Sequence, residues 1–186
     1  MIRLFDILVS LFCLLALSPL ILVASCAIKS ESRGPILFIQ SRVGKHGVSF
    51  KIFKLRTMLV DAEVVGPRYT MADDPRVTRV GAWLRRTSLD EIPQLANVLL
   101  GQMSLVGPRP ATPDQVSLYP SEAWTLRTSV KPGITGLAQA RLRSDGSLNN
   151  QIKYDSFFVR RASSVGFYFK ILVWTACIVF SRRGVN

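Results

Sequence analysis

The stretch Arg85-Arg86-Thr87-Ser88-Leu89-Asp90-Glu91-Ile92-Pro93-Gln94 sets two adjacent carboxylates just behind two arginines, at the mouth of a proline-marked helix. An aspartate so placed can attack phosphorus to give an acyl phosphate, splitting one displacement into two, while arginines and a divalent ion hold the equatorial charge. A structural use competes. Asp90 is a good N-cap for a helix with Pro93 in its first turn, and Ser88 with Glu91 three residues on fits a capping box. From Arg76 to Arg109 there are five arginines, no lysine, and Asp90 and Glu91 as the only acids. If these groups converge, two carboxylates leave a positive potential suited to a diphosphate; an exposed basic face for a membrane surface explains the same count. In Gly107-Pro108-Arg109-Pro110 a proline on each side stiffens the backbone that presents Arg109. Neither G-x-x-x-x-G-K-[ST] nor G-x-G-x-x-G occurs, which argues against a nucleotide P-loop or a dinucleotide fingerprint.

Such groups need a scaffold, and composition bounds it. The 186 residues fit one ordinary domain with a short appendage. A hydrophobic fraction of 48% against 19% charged excludes a disordered chain and, with a mean hydropathy of +0.27, points toward a bilayer. Basic residues outnumber acidic ones 24 to 12, and 17 of the 24 are arginines, which favours forked contacts to phosphate or carboxylate. Nucleic-acid binding lacks support, since neither aromatic interleaving nor a known motif accompanies the charge. The three cysteines, Cys13, Cys26 and Cys177, all lie in apolar segments and form no disulfide framework, which fits a reducing compartment. The single histidine, His46, reads as a solvated loop residue.

Ile7 to Ile28 is a run of 22 residues without a charge, roughly 33 Å as a straight helix and enough for a hydrocarbon core. Ser18-Pro19 interrupts its middle and predicts two short halves. Arg3 before the run and Lys29 and Arg33 after it place both ends on the cytoplasmic side by the positive-inside rule, so a re-entrant helix-break-helix is expected. A kinked spanning helix satisfies the same length, and Val23-Ala24-Ser25-Cys26 resembles a lipoprotein cleavage box.

Downstream, Ile36–Ile39 and Phe50–Leu55 flank a Gly44/Gly47 turn and predict a β-hairpin. Helices are expected at Asp61–Val65, Val77–Leu84, Pro93–Leu100 and Asn149–Val159, with two helical turns broken at Pro120 between residues 111 and 130. Residues 69–75 read as a loop. The apolar segment Phe167–Phe180, about 21 Å as a helix, is too short to cross a bilayer. Between Arg160-Arg161 and Arg182-Arg183 it reads equally as an interfacial helix or a core helix with basic caps. The fold class expected is mixed α+β, mostly helical and monotopic: a membrane segment over 1–30, then a catalytic domain over 31–186 that ends in a helix at about 164–180.

The run from Ser88-Leu89-Asp90-Glu91-Ile92-Pro93-Gln94 through Ser104-Leu105-Val106-Gly107-Pro108-Arg109-Pro110 closely resembles the signature of the bacterial sugar transferases, the monotopic phosphoglycosyl transferases. The resemblance extends to Gln40-Ser41-Arg42-Val43-Gly44, Phe53-Lys54-Leu55-Arg56-Thr57-Met58, Asp74-Pro75-Arg76-Val77-Thr78-Arg79-Val80-Gly81 and Lys131-Pro132-Gly133-Ile134-Thr135-Gly136-Leu137-Ala138-Gln139. Ser18-Pro19 is similar to the break in that family's re-entrant helix. Resemblance over nearly the whole chain implies the small form that carries the catalytic core alone.

It further implies transfer of a sugar-1-phosphate from a UDP-sugar to undecaprenyl phosphate with release of UMP, with Mg2+, at the cytoplasmic face of the bacterial inner membrane. Asp90 would be the nucleophile and a metal ligand, and Glu91 its partner in placing the metal or handling protons. Lys54, Arg85, Arg109 and Arg143 match phosphate-binding positions, with Arg42 and Arg56 as weaker candidates. Membrane lipid is an implied partner, and a homodimer stays open. Three positions depart from the pattern: Arg141-Leu142 stands for Asn-Gly before Arg143, Tyr168 for an acidic residue, and Lys131 for arginine. The competing class is a noncatalytic membrane-surface adaptor whose basic face binds anionic lipid.

Overall fold

The uncharged run lies inside one helix, α1 (Ile2–Glu31), in the computed structural model, which describes residues 1–60, 62, 74–142 and 147–181, the last three without side chains. The expected division at Pro19 is not a break: α1 is continuous through it. Pro19 has no N–H for the carbonyl of Leu15, and the hydroxyl of Ser18 donates to that oxygen at 2.8 Å in its place. The helix is inside-out. Asp6 and Ser10 are buried against the protein, while Leu4, Leu8, Leu11, Phe12, Leu15, Leu22 and Val23 face outward. Both ends are tied to the same body. Arg3 donates to the carbonyls of Val98 (2.7 Å) and Leu99 (3.2 Å), and the Glu31 carboxylate accepts from the amides of Arg79 (2.7 Å) and Val80 (2.9 Å).

The predicted hairpin is present as β1 (Leu37–Val43) antiparallel to β2 (Ser49–Leu55), joined by a 3-10 turn at Lys45–Gly47. His46 and Gly47 take positive φ to close it, and His46 is exposed as expected. Phe50 and Ile52 alternate into the core, so the next position on that face, Lys54, comes to the core's margin. Helix α2 (Arg79–Thr87) begins at Thr78, whose hydroxyl accepts from the amide of Gly81. A 3-10 turn at Leu89–Glu91 then leads to α3 (Gln94–Leu99).

Next come β3 (Ser104–Val106), a 3-10 segment at Pro113–Leu118, α4 (Ser121–Thr128), β4 (Gly133–Thr135), α5 (Leu137–Leu142), α6 (Leu148–Arg160) and α7 (Val165–Ser181). The two turns broken at Pro120 are thus the 3-10 segment and α4. The parallel pairing of β3 with β4 had no counterpart among the expectations. Expected features at 61, 63–65 and 69–73 lie outside the described residues.

The main core gathers Phe50, Ile52, Leu95, Val98, Met103, Val106, Leu137, Phe158, Tyr168 and Ile171, and a smaller one joins Ala24 and Ile28 of α1 to Leu55 and Leu84. The first cluster joins hairpin, α3 and α7; the second seats the end of α1 beside α2. Leu84→Ala in that fully enclosed position is expected to cost about 2–5 kcal/mol. Helix α7 buries Tyr168 and Ile171 while Phe169 and Val173 stay exposed, so it has one core face and one apolar outer face.

Candidate active site

Asp90 is not a helix cap. Ser88 ends α2 in the left-handed region (φ 56°, ψ 17°), the chain reverses, and Asp90 sits within the 3-10 turn, four residues before α3 begins. No side-chain cap hydrogen bond forms at Ser88 or at the start of α3, so the Ser88–Glu91 capping box is absent as well. A left-handed conformation at a residue other than glycine costs about 1–2 kcal/mol. Here it buys a turn that aims two consecutive carboxylates away from helix capping.

Glu91 is the hub of the charges. Its Oε1 accepts from Lys54 Nζ at 2.8 Å and from Arg109 Nη2 at 3.3 Å. Burial opposes its ionisation, yet Arg109 and Lys54 outweigh burial and hold its carboxyl at about 2. Burial raises Asp90 above the usual aspartate range, Glu91 adding to the rise while Lys54, Arg85 and Arg109 oppose it. The two adjacent carboxylates are therefore pushed in opposite directions, the arrangement that gives neighbouring acids separate roles. Among the described residues no hydrogen bond is made to the Asp90 side chain, so its oxygens are uncommitted.

Burial lowers Lys54, against the attraction of Glu91. Arg85 donates from Nε to the hydroxyl of Thr57 at 2.9 Å, and burial lowers it against the pull of Asp90. Arg42 donates to the carbonyl of Pro110 (3.0 Å) and to Gln40 (2.6 Å); burial and then Arg109 lower it to about 10. One small cleft is lined by Arg42, Lys54, Glu91, Gln94, Arg109 and Gly133, among others. Of the expected site residues, Glu91, Lys54, Arg109 and Arg42 thus line one cleft, while Asp90, next to Glu91 in the chain, is not among its lining residues but lies within the field of Lys54, Arg85 and Arg109. Arg56 does not join them: its buried guanidinium donates to the carbonyls of Ser32 and Arg33 and to the Ser32 hydroxyl. Arg143 lies outside the described residues. Ser18 and Pro19 stand on the exposed middle of α1, apart from the cleft.

Three arrangements that the sequence reading missed hold these groups in place. Asn97, fully buried on α3, accepts from the Phe53 amide (3.1 Å) and donates to the Lys51 carbonyl (2.7 Å), fixing the strand that carries Lys54 to the helix that follows Asp90. Arg127 is paired with Asp155 at 2.5 Å and also donates to the carbonyl of Arg109, setting the backbone from which Arg109 projects. Gly107 and Gly133 meet backbone to backbone, and a Cβ at either would strike the other's chain segment. Tyr168, one of the three departures from the family pattern, lies 2.5 Å from Asp6 Oδ1 and accepts from the Val106 amide, tying α7 to α1. Arg141, at another of the three departures, lies over the Trp174 ring at 3.9 Å. The polar character of Asn97 between Leu95-Ala96 and Val98-Leu99 was the one signal available beforehand; Arg127 and Asp155 are 28 residues apart and carry none.

Comparison with known proteins adds a family to this geometry. Residues 1–182 match the family described as Bacterial sugar transferase. The chain is 49% identical over 143 residues to an undecaprenyl-phosphate glucose phosphotransferase of Komagataeibacter xylinus, covering 74% of this chain and 27% of that protein. It is 45% identical over 168 residues to a UDP-glucose:undecaprenyl-phosphate glucose-1-phosphate transferase of Klebsiella pneumoniae, covering 85% and 36%. It is 47% identical over 145 residues to the exopolysaccharide production protein PSS of Rhizobium leguminosarum bv. phaseoli, covering 75% and 72%. The chain thus spans about a third or less of the first two relatives and most of the third. With the signature residues gathered around one cleft and the match running almost end to end, the chain belongs to the bacterial sugar transferase family.

Proposed function

We propose that the chain is a phosphoglycosyl transferase that moves a sugar-1-phosphate from a UDP-sugar to undecaprenyl phosphate at the cytoplasmic face of the bacterial inner membrane. The observation that carries the reading is the Asp90–Glu91 pair. One carboxylate is locked by Lys54 and Arg109, and the other sits beside it, buried, raised and, among the described residues, without a hydrogen bond. In the first step an Asp90 oxygen attacks the phosphorus that bears the sugar. An Asp90 O–P bond forms, the bond from that phosphorus to the bridging oxygen breaks, and UMP departs with the electron pair. In the second step a phosphate oxygen of the lipid attacks the same phosphorus, the Asp90 O–P bond breaks, and the carboxylate is restored as undecaprenyl-diphospho-sugar leaves. Both substrates use the same phosphate-binding groups in turn, so one cleft serves two substrates. Lys54 and Arg109 hold equatorial oxygens, and Glu91 orients both cations.

The donor set fits Mg2+. This ion is held by one or two carboxylates and completes its shell with phosphate oxygens and water, so Asp90 and Glu91 suffice although no group of three or more His, Cys, Asp or Glu forms among the described residues. Bound there, it offsets charge on the diphosphate.

A monotopic placement of the unbroken α1 is supported by its two anchored ends. A helix that crossed a bilayer would part Arg3 from Glu31, whereas both bond to one body. The outward apolar residues of α1, with Phe5 packed on Phe169 of α7, form the surface that would enter lipid. The test is UMP release by detergent-solubilised protein with Mg2+, undecaprenyl phosphate and a panel of UDP-sugars. Turnover that requires the lipid and disappears in Asp90→Asn supports the proposal; lipid binding that persists without UMP from any donor favours the adaptor.

A further inference from the structure

Gln94 opens α3 one turn beyond Asp90, is 2% exposed, and lines the cleft with Lys54, Glu91 and Arg109. Its Nε2 is enclosed and, among the described residues, has no acceptor. Arg42 lines the same cleft, and its Nε is likewise enclosed without an acceptor among the described residues, although its other nitrogens are bonded. Buried N–H groups are nearly always paired, and leaving one unpaired costs the full desolvation of the group. Two stranded donors bordering a single cleft call for oxygens that arrive with a ligand.

We propose that Gln94 is a substrate-contacting residue whose amide N–H, together with Arg42 Nε–H, holds non-bridging oxygens of the phosphoryl group while it is bonded to Asp90; the assignment rests on the transferase reading above. A neutral donor suits this position. Lys54, Arg85 and Arg109 already lower the basicity of Asp90, and a fourth cation one turn away would weaken the nucleophile further, whereas an amide binds a phosphoryl oxygen without adding charge. The contact matters most as charge builds on the equatorial oxygens, so its loss falls on kcat rather than KM.

The test compares the native full-length chain with Gln94→Leu and Gln94→Glu in detergent, using UDP-glucose, UDP-galactose and UDP-N-acetylgalactosamine as probes with undecaprenyl phosphate, alongside thermal unfolding. Gln94→Leu removes the donor at nearly constant shape and is expected to lower kcat about a hundred- to a thousand-fold with KM nearly unchanged. Gln94→Glu sets a negative charge against the phosphoryl oxygens and is expected to lose more. The melting midpoint of Gln94→Leu should hold or rise, because an apolar group replaces an unpaired buried donor. Activity lost together with several degrees of stability would mark a packing role and overturn the assignment. A native chain that turns over while Gln94→Leu matches it removes the assignment alone; a native chain that releases no UMP from these donors removes the transferase reading and the assignment with it.

Discussion

Arginines in two regions of this molecule do opposite work. In the cleft, Arg109 is nearly half exposed and, among the described residues, its guanidinium reaches only the Glu91 carboxylate, at 3.3 Å. Behind the cleft and along α1, Arg127, Arg56 and Arg3 aim their forks at backbone carbonyls, and Arg127 and Arg56 are almost wholly buried. The first kind is held loosely enough to exchange its partner for a phosphate, and the second is part of the frame. An arginine excess therefore overstates anion binding, since a planar, permanently charged fork also closes loops whose carbonyls have no strand or helix to serve them.

The contrast breaks most easily at Arg127. Arg127→Ala leaves Asp155 buried without its partner and is expected to cost about 3–5 kcal/mol, read as a lower thermal midpoint. A paired Arg127→Met with Asp155→Leu should recover much of that stability but not the hold on the Arg109 carbonyl, so turnover should stay depressed. Arg109→Ala should behave in the reverse sense. Its exposed ion pair contributes no more than about 1 kcal/mol to stability, while turnover is expected to fall a hundred- to a thousand-fold, about 2.7–4 kcal/mol in the barrier. Arg56→Lys keeps the charge and loses the fork. It should cost about 1–3 kcal/mol of stability with kcat and KM close to native, and a selective loss of donor affinity would return Arg56 to the site.

The smallest expected effect is a displacement in pH. In the proposed mechanism Asp90 attacks in its ionised form, and burial raises its carboxyl, so kcat/KM should climb with pH through a point above the ordinary aspartate value. Lys54 favours the charged form, so Lys54→Met should move that limb to higher pH. Glu91 disfavours it, so Glu91→Gln should move the limb to lower pH. Shifts in the opposite senses would show that another group governs the limb.

How far the sequence could be read depends on the range of the interaction. The hairpin, α2, α3 and α7 were legible because alternation, helical spacing, glycine and proline act over a few residues. Pro19 was over-read: its broken hydrogen bond is local, but so is the repair by the neighbouring Ser18, and the helix continues. The pairing of β3 with β4 was invisible, since three-residue strands carry no period and their contact depends on Gly107 and Gly133 meeting across the fold. In the site, Asp90, Glu91 and Arg109 stood out by residue type and spacing, and Lys54 was found through the family resemblance. Residue type alone favoured capping for Asp90, and only the left-handed turn at Ser88 removes that role. Asn97, Arg127 and Asp155 act through partners far away in sequence, and no local pattern marks such partners.

The central claim is that Asp90 becomes covalently bonded to the phosphosugar. Its most direct test is the intact mass of the chain after incubation with UDP-sugar and Mg2+ in the absence of lipid acceptor. The native chain is expected to gain one sugar-phosphate, located on Asp90 by peptide fragmentation and discharged when undecaprenyl phosphate is added, and Asp90→Asn should gain none. Turnover without any adduct, or an adduct that forms equally on Asp90→Asn, would contradict the account.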